Sequence, residues 1–130
     1  MRSSAREAAF KIIFSGLFQE AVQSAFKSRI YKGEKLNEED TAFADALVTL
    51  VEEHRAELSD AITERIERFA EHRIYKADMA IMLLGLAEMR YLDDVPPLVS
   101  VTEAAALARK YSTENSANFV SGVLGGFIES

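Results

Sequence analysis

Acidic side chains are the most abundant groups in this sequence that could do chemistry, with 21 Asp and Glu among 130 residues. Several stand side by side, as in Glu38-Glu39-Asp40, Glu52-Glu53 and Asp93-Asp94. General acid–base catalysis needs two such groups that converge across a cleft, whereas these runs fall at helix ends or on exposed faces. They therefore predict solvated surface and not a catalytic pair.

Metal, cofactor and nucleophile sites are also absent as sequence patterns. There is no cysteine, and the two histidines, His54 and His72, lack metal-ligand spacing. Gly125-Gly126 has neither the lysine nor the preceding strand of a phosphate-binding loop. We therefore expect no metal, no cofactor and no enzymatic activity, with both histidines at the surface. The absence of cysteine fits a reducing compartment, and we expect a cytoplasmic protein.

The composition, 48% hydrophobic and 28% charged, is that of a globular protein, and we expect a single domain over residues 1–130. The longest run free of charged and strongly polar residues is Met79–Ala87, nine residues, which is too short to cross a membrane. The net charge of −6 argues against binding nucleic acid by electrostatics alone. Residues 1–35, however, carry a net charge of +4. That asymmetry indicates either one directed binding surface or merely a solvated helix face.

Hydrophobic residues recur with helical period along the whole chain, and we expect six or seven helices and no sheet. Residues 4–7 (Ser-Ala-Arg-Glu) and 100–103 (Ser-Val-Thr-Glu) have the pattern of a capping box and predict two helix starts. Asn37 predicts another start, Ser59 or Asp60 a further one, and a short helix is expected over residues 20–29.

The stretch from about 77 to 92 is apolar on all sides, which predicts a buried central helix that Pro96 and Pro97 separate from the next one. The last helix carries its glycines opposite its apolar stripe. Bare backbone there allows close packing of a sister helix, fraying at the chain end, or a binding face. These glycines are Gly122, Gly125 and Gly126.

Three segments, "AREAAFKIIF", "DVPPLVSVTEAAALARKYS" and "FVSGVLGGF", resemble the NusB family of transcription antitermination factors in order and spacing. The resemblance is most specific over residues 94–124. It implies a non-enzymatic, all-α fold of two small bundles that share the central helix. It also implies that the protein binds boxA-type single-stranded RNA together with a NusE-type ribosomal protein and acts on the RNA polymerase elongation complex. No membrane association is expected, and a homodimer stays open.

The resemblance further implies which residues form the binding sites. Basic side chains would meet phosphates, aromatic rings would stack on bases, and amides and hydroxyls would read base edges. The implied RNA-binding residues are Arg2, Arg6, Phe14, Lys110, Tyr111, Asn115, Asn118, Phe119 and Ser121. The implied partner-binding residues are Asp78, Phe14 and Gly122.

Alternatives stay open at this point. Phe14 and Phe119 lie on apolar stripes, which is typical of core residues. An acidic residue such as Asp78 is common in the first turn of a helix, because the helix dipole stabilises its negative charge there. Only Arg2 precedes the "ARE" segment where the family has several basic residues, so RNA binding could be weakened. We therefore also consider a protein-only helical adaptor or dimerisation module of the same fold, and the RNA-binding module of an RNA-modifying enzyme.

Overall fold

The computed structural model of the chain describes residues 2–19, 21–67 and 74–128. No strand occurs among these residues, which confirms the all-α prediction. His72, which we expected at the surface, lies outside the described residues. The described residues form six helices: α1 (Arg2–Gly16), α2 (Ser24–Gly33), α3 (Glu38–Glu67), α4 (Lys76–Tyr91), α5 (Pro97–Tyr111) and α6 (Ser116–Gly125).

Helix α4 is the central element of the fold, as the sequence predicted. Residue 78 and residues 80–88 are all buried. A helix can be buried on every side only if neighbours surround it, and α4 contacts α1, α3, α5 and α6. It ends where Leu92 takes an extended backbone conformation (φ −112°, ψ 100°).

Two small groups of helices share α4. On one side α1 packs on α2 and α3, and on the other side α5 packs on α6. Buried side chains from both groups belong to one hydrophobic core, including Ile12 of α1, Leu47 of α3, Leu84 of α4 and Leu124 of α6. Burial of such side chains stabilises the fold by about 1.5–3 kcal/mol each.

The two capping-box predictions are wrong, because both helices begin earlier. Helix α1 already includes Arg2, and α5 starts at Pro97, where a proline is well tolerated since its missing N–H would have no helical partner. Ser100 therefore lies inside α5, and its buried Oγ has no hydrogen-bond partner among the described residues. The prediction for Asn37 is confirmed: its Oδ1 accepts a hydrogen bond from the Asp40 amide at 2.8 Å, before α3.

No new helix begins at Ser59 or Asp60. Helix α3 runs past both, and its backbone departs from helical geometry at His54 (φ −114°, ψ 17°). The imidazole of His54 stacks on Tyr91 with ring centroids 4.2 Å apart, and its Nδ1 lies 2.8 Å from Glu57 Oε1. His54 is thus half-buried at a kink, and not a free surface residue as expected.

Helix α2 lies four residues later than the predicted short helix and differs from the others, because none of its residues is fully buried. Side-chain polar contacts hold it to its neighbours in addition to partly buried apolar groups. These contacts are the ion pair of Lys11 with Glu34, the ion pair of Lys27 with Glu52 at 3.1 Å, and the hydrogen bond from the Tyr31 hydroxyl to Asp45 at 3.2 Å.

Candidate nucleic-acid interface

Helices α1 and α5 meet through two groups of charged side chains. The first, which we call the arginine cluster, comprises Arg2, Arg6, Glu88, Asp94 and Glu103. The second, the tyrosine cluster, comprises Glu7, Phe10, Lys110 and Tyr111. Residues three and four apart share one face of a helix, so α1 presents both clusters on neighbouring turns. Together they form the α1–α5 face.

The arginine cluster has a buried ion pair at its centre. Arg6 Nε donates to the two carboxylate oxygens of Glu88 at 3.0 and 3.1 Å, and Arg6 Nη2 also pairs with Glu88. Arg6 Nη1 donates to Glu103 Oε1 at 3.1 Å. Burial lowers the pKa of Arg6, but the bonds to Glu88 and Glu103 outweigh burial and leave that pKa raised. The guanidinium therefore stays charged and links α1 to α4 and α5.

The structure corrects the expectation for Arg6. Its side chain is only 6% exposed and its described bonds go to Glu88 and Glu103, so it cannot meet an RNA phosphate in this conformation. Arg2 and Arg6 do project the same way, because both guanidinium groups lie over the Phe43 ring, at 4.3 and 5.3 Å from its centroid. Arg2 is exposed, and its ion pair with Asp94 at 3.2 Å is solvent-accessible.

The tyrosine cluster lies closer to solvent. Glu7 accepts a hydrogen bond from the Tyr111 hydroxyl at 2.8 Å and forms an ion pair with Lys110. Burial raises the pKa of Glu7, but the two donors outweigh burial and leave that pKa below its ordinary value. Burial, together with the bond to Glu7, raises the pKa of the Tyr111 hydroxyl. Lys110 remains 61% exposed, so its charge is available to a ligand.

An aromatic row continues from this cluster along α1. The Tyr111 and Phe10 centroids are 5.0 Å apart, Phe10 and Phe14 are stacked at 5.9 Å, and Phe14 meets Phe18 edge-on at 5.2 Å. Phe14 is half-buried, whereas Phe18 is 62% exposed. Sequence reasoning missed Phe18, which lies just beyond the end of α1; its four-residue spacing from Phe14 was the signal that could have pointed to it.

The residues expected on α6 divide by exposure. Asn115, Asn118 and Gly122 are exposed, and Ser121 is partly buried. Phe119 packs against the hydrophobic core, which favours the core interpretation of that ring. Helix α6 begins five residues after Tyr111, so its first turn follows directly on the tyrosine cluster along the chain.

Asp78 holds the α5–α6 junction and is not an exposed partner contact. It is 2% exposed, and its two carboxylate oxygens accept hydrogen bonds from Ser112 Oγ at 2.6 Å and Ser116 Oγ at 2.9 Å. Such a buried carboxylate is stable only when its oxygens are bonded. The expected partner contact through Asp78 is therefore closed in this structure, and the residue fixes the turn that carries Asn115.

The three glycines of the last helix have different explanations. A Cβ at Gly122 or Gly125 would meet nothing within 4 Å among the described residues, which excludes close packing of a described sister helix there. A Cβ at Gly126 would overlap the Arg65 guanidinium, whose Nε donates to the Val123 carbonyl at 2.7 Å. Gly126 thus accommodates Arg65, while Gly122 leaves bare backbone on the outer face of α6.

Within the described ranges, no group of three His, Cys, Asp or Glu side chains is arranged to hold a metal ion. Nor is any helix of this part of the chain both long and apolar enough to cross a membrane. The α1–α5 face offers charged groups, hydrogen-bonding groups and aromatic rings.

Comparison with known proteins places the whole chain in one family. The NusB family model matches residues 3–129. A transcription antitermination protein NusB from Agathobacter rectalis is 35% identical over 97% of this chain and 98% of its own length. The NusB from Clostridium novyi is 31% identical over 98% of both chains.

Two experimental structures share the fold. The T. maritima NusB structure superposes with a TM-score of 0.84 at 24% identity, covering 100% of this chain and 92% of its own. A crystal structure of the antitermination factors NusB and NusE in complex with dsRNA gives a TM-score of 0.85 at 22% identity, covering 98% and 96%. The match over the full chain length, together with an all-α fold built around a shared central helix, shows that this chain belongs to the NusB family of non-enzymatic transcription antitermination proteins.

Proposed function

We propose that this chain binds boxA-type single-stranded RNA together with a NusE-type ribosomal protein. In this proposal the assembly acts in the cytoplasm on the RNA polymerase elongation complex and keeps it processive on ribosomal RNA operons. The observation that carries the proposal is the match to transcription antitermination proteins over 97–98% of the chain. The domain that does this work is the single domain over residues 1–130.

The RNA would lie on the α1–α5 face and continue onto α6. Arg2 and Lys110 offer exposed positive charge, and Tyr111 offers a partly exposed ring beside them. A base stacked on such a ring is worth about 1–3 kcal/mol. Exposed Asn115 and Asn118 supply amides that can bond base edges. Arg6 acts indirectly, by holding α1 against α5.

The protein partner would supply the positive charge that this chain lacks. A chain of net charge −6 binds RNA weakly by itself, because its overall field repels phosphate. A basic ribosomal protein would correct that balance. Phe14 with the exposed Phe18, and the bare backbone at Gly122, are the apolar and close-approach surfaces that we assign to this partner.

The structural relative that holds both NusE and RNA supports an assembly of this kind. Because its RNA is double-stranded, the test includes a duplex. Fluorescent boxA-type RNA, a scrambled RNA and a duplex of the same sequence would be titrated at two salt concentrations, with and without the NusE-type protein. We expect boxA-type RNA to bind most tightly and the partner to increase that preference. Equal affinity for all three RNAs in every condition would refute RNA recognition.

A pair of single substitutions distinguishes RNA binding at the α1–α5 face from non-specific attraction to any exposed positive charge. Lys110→Ala should weaken boxA binding and reduce the slope of log K against log salt by about 0.7, the value for one phosphate contact on a single strand. Lys32→Ala, which removes the same charge from an exposed position on α2, is the matched control and should leave the slope unchanged. Equal effects of the two variants would contradict the placement of RNA on the α1–α5 face.

The protein-only adaptor remains a second candidate, because each exposed cation of the face already has a carboxylate partner: Arg2 with Asp94 and Lys110 with Glu7. This candidate predicts partner binding that RNA does not change.

The homodimer is tested separately. Light scattering of the free chain across a concentration series should show a doubled mass if the chain dimerises.

A further inference from the structure

A cavity of about 400 Å³ lies between α1, α2 and α3, on the side of α1 away from the aromatic row. At 100° per residue, Ile12 and Gly16 lie on the side of α1 opposite to Phe10 and Phe14, and no described residue that lines the cavity belongs to the arginine or tyrosine cluster. The cavity is therefore separate from the α1–α5 face. Its volume falls within the range of about 300–1,000 Å³ that is usual for small-molecule sites.

The inner wall of this cavity is apolar. Ile12 and Ile13 of α1 and Val48 and Val51 of α3 are buried core residues that also line it, and Val22 approaches from the segment before α2. Such a wall favours a hydrocarbon chain or ring, because burying apolar surface is the main driving force for binding in a pocket.

Among the described residues, three charged side chains line the outer edge of the cavity: Lys27, Glu52 and Arg55. Lys27 and Glu52 neutralise each other through an ion pair with Nζ and Oε1 3.1 Å apart. Arg55 then gives these three described side chains a net charge of one positive unit. That balance complements a ligand with a single negative charge.

Arg55 has donors to spare. A guanidinium has five N–H donors, and within the described residues one hydrogen bond is recorded for it, from Nη1 to the Gly16 carbonyl at 2.8 Å. The helical break at His54 immediately precedes Arg55. The Gly16 bond ties its guanidinium to the end of α1, beside the cavity.

We propose that this α1–α2–α3 cavity binds a small apolar carboxylate, such as a medium-chain fatty acid. The hydrocarbon part lies against Ile12, Val48 and Val51, and the carboxylate bonds the Arg55 guanidinium. The carboxylate and the guanidinium carry opposite charges, and both are planar, so two parallel hydrogen bonds can form between them. This pairing is therefore stronger than one with a neutral head group.

The test uses the full chain and decanoate at neutral pH, kept below the concentration at which it forms micelles. Methyl NMR spectra should show saturable shifts centred on Ile12, Val48 and Val51, and the melting temperature should rise with ligand concentration. Octanoate should bind more weakly, by about fourfold for each methylene lost. Decanol, with the same chain and no charge, should bind at least about tenfold more weakly than decanoate.

Two variants probe the two halves of the site independently. Arg55→Gln can still donate to Gly16 but loses the charge, and it should bring decanoate down to the affinity of decanol. Gly16→Ala places a methyl group 3.4 Å from Val22 Cγ2, an ordinary contact, so it narrows the cavity without strain and should weaken decanoate by about fivefold. Arg109→Gln, an exposed arginine on α5, is the matched control and should change neither value.

Several outcomes would overturn the proposal. They are no saturable shift, equal affinity for decanoate and decanol, or decanoate binding that neither Arg55→Gln nor Gly16→Ala weakens. In the first case the cavity is a packing void and Arg55 serves only to bond the last carbonyl of α1.

Discussion

The arginine cluster and the tyrosine cluster each contain a cation paired with a carboxylate, and α1 contributes to both on neighbouring turns, yet the two pairs differ in exposure. At the centre of the arginine cluster, Arg6 and Glu88 are 5% and 1% exposed. In the tyrosine cluster, Lys110 is 61% exposed and Glu7 lies partly open beside it. The comparison shows that burial, and not residue type, decides whether a charge maintains the fold or remains available to a ligand.

The physical reason is solvation. A buried charge has lost its water and depends on its partner, so removing the partner leaves a large uncompensated penalty. An exposed ion pair is screened by water and salt, so one partner can be exchanged for an RNA phosphate at little cost. Four experiments test this difference, ordered from the largest expected effect to the smallest.

Replacing Arg6 should have the largest effect. Arg6→Ala leaves Glu88 buried and unpaired, and we expect the free energy of unfolding to fall by about 3–5 kcal/mol in urea denaturation. The double variant Arg6→Met with Glu88→Leu, which removes both charges and keeps apolar volume, should recover at least about half of that loss. A loss below about 1 kcal/mol for Arg6→Ala would show that the Arg6–Glu88 pair behaves as a solvent-screened ion pair and not as a buried one.

The Tyr111 hydroxyl should contribute less. Tyr111→Phe keeps the ring packed on Phe10 and removes one donor to Glu7, so we expect a loss of about 0.5–1.5 kcal/mol. Tyr75→Phe is the matched control, because that tyrosine is 50% exposed and no hydrogen bond is recorded for its hydroxyl within the described residues. Equal denaturation midpoints for the two variants would indicate that the Glu7 bond does not form.

Glu7 should make a small, pH-dependent contribution. Its pKa is lowered in the folded chain, so its stabilising effect is present above the unfolded carboxyl pKa of about 4.3 and is lost as pH falls through the folded pKa. Glu7→Gln should therefore be less stable than the natural chain at pH 7, and the difference should shrink as the pH is lowered towards 3. Melting temperatures between these two pH values test the sign, and a constant difference would contradict it.

Lys110 should contribute least to stability, because its side chain is exposed to water. We expect Lys110→Ala to leave the denaturation midpoint unchanged within error while RNA affinity falls. This is the reverse of the result expected for Arg6→Ala, where stability is lost first. If Lys110→Ala unfolds the chain, the two clusters do not differ as described.

Local sequence patterns predicted much of the fold. The all-round apolar segment gave α4 within one residue at each end, and Asn37 marked the start of α3 correctly. These features depend on residues that are close in sequence. The break at His54 could not be predicted in the same way, because the imidazole stacks on Tyr91, which lies on another helix.

The site was harder to predict, for the same physical reason. Arg6 looked like an exposed basic residue until the fold brought Glu88 and Glu103 to it from 82 and 97 positions away. Asp78 was similar, since Ser112 and Ser116 close over its carboxylate. Motif resemblance directed attention to the ends of the chain, but only tertiary contacts distinguish residues that hold α1 and α5 together from residues that stay exposed on the α1–α5 face.

The absence of fully buried residues in α2 has a consequence for the dynamics of the chain. Partly buried apolar side chains, two ion pairs and one tyrosine hydroxyl contribute less than a fully buried face, so this helix should detach while α4 stays folded. Its amide protons should exchange with deuterium earlier than those of α4, and more rapidly still in concentrated salt. The free energy of local opening would then be low for α2 and high for α4 within one small protein.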